Sequence, residues 1–150
     1  MAMTVSFPGG KRVDVDAGGF VIHTDQSQAD GGEGSAPDPF ATFLASLAAC
    51  AGIYVLGFCQ VRGIPTGGLR LLQHHERDPA TKKLMQVRLE IEMPPGFPPQ
   101  YLSAVRHAAS HCAVKRAMLA PPEFVTEVRI GAAPVLPTAI ASEQIAGTPH

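Results

Sequence analysis

The sequence carries almost no net charge. Its 150 residues carry 12 Lys and Arg against 13 Asp and Glu, a formal net charge of -1. Binding to nucleic acid or to an anionic membrane draws on a basic field, so we expect neither as a partner. The chain also lacks the basic start and unbroken apolar run of a secretory signal, because Pro8, Gly9 and Gly10 interrupt its first residues. We therefore expect a cytoplasmic protein.

Cysteine is scarce as well. Three cysteines, an odd count in a chain without an export signal, argue against a structural disulfide framework and favour reactive or buried thiols. The length suits a single domain. We expect its core over about residues 5–130 and a loosely held tail over 131–150.

Charge is absent from one long stretch, Phe40 to Val61. The stretch could span a bilayer by length alone, but Ala, Ser, Gly and Thr fill much of it and no Lys or Arg anchors its N-terminal side. We interpret it as a helix buried on nearly all sides. Asp38 is the expected N-cap with Pro39 at the first helical position, and Gly63 is the expected C-terminal cap.

The remaining segments predict an α+β fold with antiparallel sheets. Alternating apolar and polar residues predict strands, turn residues predict the hairpins, and helical spacing predicts a second helix and a short helix after it. The predicted strands are Val5–Phe7, Val13–Asp16, Phe20–Thr24, Leu69–Glu76, Leu84–Met93 and Phe124–Ile130, and the predicted later helices are Tyr101–His111 and Cys112–Leu119.

The first two cysteines lie on the long helix. Small residues flank Cys50 and leave room around its sulfur, whereas Cys59 is nine residues on, about 180° round the helix. The two cannot bond to each other, and we assign Cys59 to packing.

The third cysteine lies where the second helix breaks. Lys115 and Arg116 follow Cys112 by three and four residues, and a helix start adds partial positive charge. Both effects predict a thiolate at Cys112.

Together these segments resemble one protein family. The run Pro37-Asp-Pro-Phe-Ala-Thr-Phe-Leu-Ala-Ser-Leu-Ala-Ala-Cys50, a hairpin, a second helix and His111-Cys112-Ala-Val are similar to the OsmC and organic-hydroperoxide-resistance family, over about Gly9 to Ile130. The resemblance implies two long central helices packed with antiparallel sheets in an intertwined homodimer. It also implies that Cys50 attacks an organic hydroperoxide and that Cys112 resolves the sulfenic acid as a disulfide. An external dithiol, in some members a lipoyl protein, then restores the thiols; no other cofactor and no metal is implied.

One residue departs from the family pattern. Hydroperoxidases of the family carry a Glu about ten residues before the first cysteine, where this chain has Phe40 followed by Ala41. That Glu holds an Arg over the thiolate, and Arg12 or Lys11, after Gly9-Gly10, is the candidate here. Asp38 is the alternative anchor, although we prefer it as the helix cap.

The candidate substrate-binding residues are apolar, which favours an organic substrate. They are Phe40, Phe43, Leu47 and Tyr54.

Two other function classes remain open. A metal site of Cys50, Cys112 and His111 is disfavoured, because no Cys-x-x-Cys pair is present and adjacent His111 and Cys112 converge poorly on one ion. The alternative is a non-catalytic dimer that binds a small apolar ligand at the subunit interface. The other histidines considered are predicted to be surface or strand residues rather than bases: His23, His74, His75 and His107.

Overall fold

The computed structural model describes residues 2–131. Its elements follow the α+β order that the sequence predicts. They are β1 (Thr4–Gly9), β2 (Arg12–Asp16), β3 (Val21–Thr24), α1 (Pro39–Val61), β4 (Arg70–Arg77), β5 (Leu84–Glu92), α2 (Leu102–Ser110) and α3 (Ala113–Leu119), with single 3-10 turns at Gln28–Asp30 and Pro99–Tyr101.

Helix α1 begins and ends at the cap residues that the sequence predicts. The carboxylate of Asp38 accepts a hydrogen bond from the N–H of Ala41 at 2.9 Å, and Pro39 opens the helix. This confirms Asp38 as the cap, so its carboxylate is engaged at the helix start. At the other end Gly63 takes a positive φ of 63° beyond Arg62, a conformation that glycine adopts without strain.

The strands form two separate antiparallel sheets. Strands β1, β2 and β3 form one sheet in that order, and β4 pairs with β5 in the other, from Arg70 opposite Glu92 to Arg77 opposite Leu84. Gly9 and Gly10 make the β1–β2 turn, both at positive φ. This turn places Lys11 and Arg12 at one end of the first sheet.

The core lies between α1, α2 and the β4–β5 sheet. Its fully buried members come from one face of α1 and one face of α2, at the three- and four-residue spacing that puts side chains on a common face. They are Ala51, Val55, Phe58, Cys59, Val105 and Ala109, and partly buried residues such as Leu71, Leu89, Ile91, Phe97 and Tyr101 pack against them.

The prediction that α1 is buried on nearly all sides is wrong for the single chain. Ile53 is 61% exposed and Val61 84%, because β4–β5, α2 and α3 cover only one side of the helix. Within residues 2–131, α1 is the one helix long and apolar enough to cross a membrane by length and composition. The core of the chain packs against its covered face.

The predicted last strand, Phe124–Ile130, does not form. Residues 120–131 have no helix or strand, and Val128 and Ile130 are 94% and 101% exposed. The alternation of apolar and polar residues is that of a strand, but no strand among residues 2–131 pairs with it, and a strand needs a partner for its backbone groups. The predicted tail lies outside the described residues apart from Gly131.

The loop before α1 is organised by a carboxylate that the sequence analysis missed. Asp25 is 1% exposed and accepts hydrogen bonds from the N–H groups of Gln26, Glu33 and Ser35 and from the Ser35 hydroxyl, at 2.8 to 3.2 Å. These bonds, led by those from Ser35, lower the pKa of Asp25 to about 2. Gly32 lets the loop close, because a Cβ there would lie 2.1 Å from the carbonyl oxygen of Gln26.

The low pKa of Asp25 predicts acid-sensitive stability. Its folded pKa of about 2 lies below the usual value of 3.8, so its stabilisation is present above that usual value and is lost as the pH falls towards 2. We expect Asp25→Asn to lower the urea concentration at the midpoint of unfolding at neutral pH. The fall of that midpoint with decreasing pH should also be smaller in the variant than in the wild type. Asp30→Asn, on the exposed side of the same loop, is the matched control; equal acid profiles for wild type and Asp25→Asn would contradict this assignment.

Candidate active site

Cys50 and Cys112 lie close enough for each to shift the pKa of the other. Cys50 is in the middle of α1 and half-buried, whereas Cys112 is 2% exposed at the break between α2 and α3. Neither forms a disulfide here. The packing of α1 against α3 thus joins two thiols that are 62 residues apart in the sequence.

The start of α3 supplies backbone donors to both sulfurs. Cys112 is the N-cap, and its sulfur accepts from the N–H of Lys115 at 3.4 Å. The N–H groups of Ala113 and Val114 lie near the sulfur of Cys50 and favour its thiolate. The N–H groups at the start of α3, which have no partner inside a helix, therefore favour negative charge on the cysteine pair.

These contacts lower the pKa of Cys50. The largest cause is the Val114 N–H, followed by the thiol of Cys112, with smaller contributions from the Ala113 N–H and the positive charge of Arg116. Each stabilises the thiolate over the thiol. Cys50 therefore has the electrostatic character of a nucleophile.

Burial shifts the pKa of Cys112 in the opposite direction. It raises the pKa of Cys112, and the nearby Cys50 raises it further. The N–H groups of Lys115 and Val114 lower this pKa, as the helix start predicts, but burial outweighs them and the pKa of Cys112 is raised, so the predicted thiolate at Cys112 is not favoured. The Ala113 N–H and the charge of Arg116 act on Cys50, whereas the sulfur of Cys112 is buried 3.8 Å from the Leu47 carbonyl oxygen.

Cys59 is separate from this pair. It is 1% exposed in the core between α1 and α2, and burial raises its pKa. Its place agrees with the packing role predicted from its position on the helix.

Arg12 lies away from the cysteine pair in the single chain. Its guanidinium is 3.9 Å from the carboxylate of Glu33 and donates to the Gly9 carbonyl at 3.3 Å. Lys11 occupies the same turn beside a shallow depression at the end of the first sheet. Glu33 is an acidic partner for Arg12 that sequence reasoning did not identify, since it is distant in sequence and is held there by the Asp25 loop.

The four predicted substrate-binding residues divide into three positions. Phe40 and Phe43 contact each other at the start of α1 with ring centroids 5.8 Å apart, and the Arg77 guanidinium lies over Phe40 at 5.0 Å. Leu47 is buried beside Cys112. Tyr54 is on the exposed face of α1, four residues after Cys50. A cation–π contact thus occupies the position where the family Glu was expected.

The strand histidines each contact a polar side chain nearby. His23 is 3.0 Å from Asp14, His74 is 3.5 Å from Glu90, and His75 contacts Gln73 at 2.7 Å. His107 on α2 and His111, the residue that caps its C-terminal end, have ring centroids 4.4 Å apart. Among residues 2–131, no three His, Cys, Asp or Glu side chains form a group that could hold a metal ion.

Comparison with sequence families gives one match. The sequence model described as OsmC-like protein matches residues 32–127, which include both Cys50 and Cys112. A search among curated proteins found no significant match.

Solved structures share the fold at low sequence identity. An osmotic stress induced and detoxification response protein from Psychrobacter arcticus superimposes with a TM-score of 0.68 at 18% identity, over 78% of this chain and 87% of that one. The OsmC-like protein of Mycoplasma pneumoniae gives 0.64 at 14% identity, over 80% and 87%. An organic hydroperoxide resistance protein from Legionella pneumophila gives 0.55 at 19% identity, over 78% and 87%. At these identities the likeness shows the fold.

Proposed function

Because this chain belongs to the OsmC-like protein family, we propose that it is a cysteine peroxidase that reduces organic hydroperoxides, with Cys50 as nucleophile and Cys112 as resolving residue. The family, together with a structural neighbour named for organic hydroperoxide resistance, supports a redox or stress-related role. The observation that carries the finer proposal is the proximity of the two thiols where the start of α3 packs on α1, with the pKa of Cys50 lowered there and Cys112 buried. An attacking thiolate beside a protonated thiol is what a peroxidatic pair requires.

The first step oxidises Cys50. Its thiolate attacks the distal oxygen of the hydroperoxide, the O–O bond breaks, and the alkoxide leaves as an alcohol once it takes up a proton. Cys50 becomes a sulfenic acid, so the sulfur is oxidised by two electrons and the peroxide is reduced by two. The Val114 N–H and the Arg116 charge support this step because they hold the thiolate before attack.

The second step uses Cys112. Its sulfur attacks the sulfenic sulfur, the S–OH bond breaks, and water leaves with the proton of the Cys112 thiol. The product is a disulfide between Cys50 and Cys112. An external dithiol, by the family resemblance a lipoyl protein in some members, reduces this disulfide by exchange and is itself oxidised.

The exposed apolar face of α1 supports a homodimer as the active form. Cys50, Ile53, Tyr54, Gly57 and Val61 recur at helical spacing along this face, so a second copy packed there would lie beside Cys50. The β1–β2–β3 sheet also exposes large apolar side chains, which a partner could cover. They are Val5, Phe7, Phe20, Val21 and Ile22.

Such a dimer offers a role for the first hairpin. Within one chain Arg12 contacts Gly9 and Glu33, and the charge that acts on Cys50 is that of Arg116; a cation from the first turn would act on Cys50 of a second copy. Phe40 cannot anchor it as the family Glu does; the anchor proposed here is Glu33, already 3.9 Å from Arg12. In this proposal the protein acts on small hydroperoxides in the cytoplasm and binds neither nucleic acid nor membrane.

Arg12→Ala should raise the pKa of Cys50 and slow its oxidation, because the variant removes a cation from the dimeric site. We expect a loss of about tenfold or more in the rate of hydroperoxide consumption at neutral pH, corresponding to about one pKa unit. Lys11→Ala, which removes the neighbouring charge, is the matched control and should change little. Equal and negligible effects of the two variants would place both residues on a solvated surface.

The proposed activity is tested by turnover. The reduced protein is mixed with an alkyl hydroperoxide or with hydrogen peroxide, with dihydrolipoate as the dithiol, and peroxide loss is followed against buffer alone. We expect the alkyl hydroperoxide to be consumed faster, since the residues near the pair, such as Leu47, are apolar. Cys50 no more reactive than an ordinary thiol would instead support a dimer that binds a small apolar ligand without chemistry.

A further inference from the structure

A cleft opens on the Cys112 side of the pair, between the β4–β5 hairpin and helices α2 and α3. Its volume is about 490 Å³, within the range of about 300–1,000 Å³ typical of small-molecule sites. Most of its walls are apolar. The apolar lining comprises Leu47, Leu84, Met85, Val87, Leu89, Ile91, Ala109, Met118 and Leu119.

The charged groups in the lining are of one sign. Arg106 of α2 and Lys115 of α3 border the cleft, and the lining contains neither Asp nor Glu. Both cations belong to exposed residues. In the part of the chain that the structure describes, neither side chain has a salt bridge within 4.0 Å. An apolar cleft bordered by two cations without acidic partners is complementary to an anion that carries an apolar body.

We propose that this cleft binds an amphipathic carboxylic acid, with its alkyl chain along the Leu84–Leu89 wall and its carboxylate paired with Arg106 and Lys115. Arginine is suited to the carboxylate because its guanidinium can donate two parallel hydrogen bonds. Cys112 lines the cleft, whereas Cys50 does not. The inference therefore goes beyond the proposed peroxidase: the ligand needs no peroxide group and its site is separate from the approach to Cys50.

Calorimetric titration with three amphiphiles of equal chain length tests this site. The probes are decanoate, decanol and decyltrimethylammonium, added to the reduced full chain at neutral pH. We expect decanoate to bind most tightly and to weaken as salt is raised, because charge pairs at an exposed rim are screened. Equal affinity for the three probes would overturn the proposal, since it would reduce the cleft to an unselective apolar surface.

The double variant Arg106→Gln/Lys115→Gln locates the anion. It should weaken decanoate binding by about tenfold or more while changing decanol binding by less than about twofold. Lys82→Gln/Arg129→Gln removes the same charge outside the lining and should leave both affinities unchanged. An equal loss in the two double variants would overturn the site, because only the net charge of the protein would then matter.

The same titration separates other occupants of the cleft. Decanoate binding only by a chain that ends at Gly131 would assign the cleft to residues 132–150 and overturn the proposal. Binding only by a monomeric variant would assign it to a second copy, with the same consequence. None of these measurements depends on peroxide turnover. The binding proposal and the peroxidase proposal can therefore be refuted independently of each other.

Discussion

Cys50→Ser should reduce alkyl hydroperoxide consumption to the uncatalysed background, a loss of several orders of magnitude. The serine hydroxyl does not ionise near neutral pH, so the N–H groups of Ala113 and Val114 and the charge of Arg116 would have no thiolate to stabilise. The measurement is the rate of peroxide loss with dihydrolipoate present. A variant that retains activity would show that another thiol performs the attack.

The two other cysteines serve as contrasts. Cys112→Ser should leave Cys50 as a sulfenic acid that oxidises further to sulfinic acid, because the resolving thiol is gone. Cys59→Ala should keep near wild-type turnover, since Cys59 is in the core and burial raises its pKa. Loss of turnover in a folded Cys59→Ala variant would contradict the assignment of the pair.

Ile53→Asp should convert the protein to an inactive monomer. Ile53 is 61% exposed in the single chain, so the substitution spares the chain's own core and acts on whatever covers α1. In a dimer an unpaired carboxylate would be buried at the centre of the interface, which costs several kcal/mol and weakens association by roughly a thousandfold. Light scattering at micromolar concentration measures the result.

Lys82→Asp is the control, because it introduces an aspartate on the exposed turn between β4 and β5, away from the exposed face of α1. This variant should remain dimeric. A wild-type monomer at micromolar concentration would contradict the dimer directly. So would an Ile53→Asp dimer with full activity.

Local sequence signals predicted most helices and strands, because the residues that start, end or pattern each element lie within it or next to it. Asp38 and Pro39 fix the start of α1, Gly63 fixes its end, and alternation fixes β4 and β5. These signals act over a few residues, so they can be read without knowing the packing. The last strand was predicted wrongly, because the alternation at 124–130 is local whereas a strand also needs a partner in space.

The electrostatics of the site could not be predicted from local sequence. Lys115 and Arg116 suggested a thiolate at Cys112, but the direction in which each sulfur points depends on how α3 packs on α1. The start of α3 lowers the pKa of Cys50 from across the fold, although Cys50 is 63 residues from Ala113. The role of Asp25 was missed for the same reason, since its donors come from a loop that closes only in three dimensions.

The family resemblance supplied what local patterns could not. It paired Cys50 with Cys112 before any contact was known, and it pointed to a cation in the first hairpin. The single chain keeps Arg12 away from Cys50, so the contribution of this turn depends on the second copy. The cleft beside Cys112 had no signal in the sequence, because its walls come from two strands and two helices that are distant in the chain.

The most direct test of the account is the mass of the protein after one equivalent of alkyl hydroperoxide. Intact mass followed by peptide mapping without reductant should show a chain about two mass units lighter, through loss of two hydrogens. The bond should join the peptides that carry Cys50 and Cys112, and Cys59 should remain a free thiol. An unchanged mass, or a disulfide that includes Cys59, would contradict the central claim.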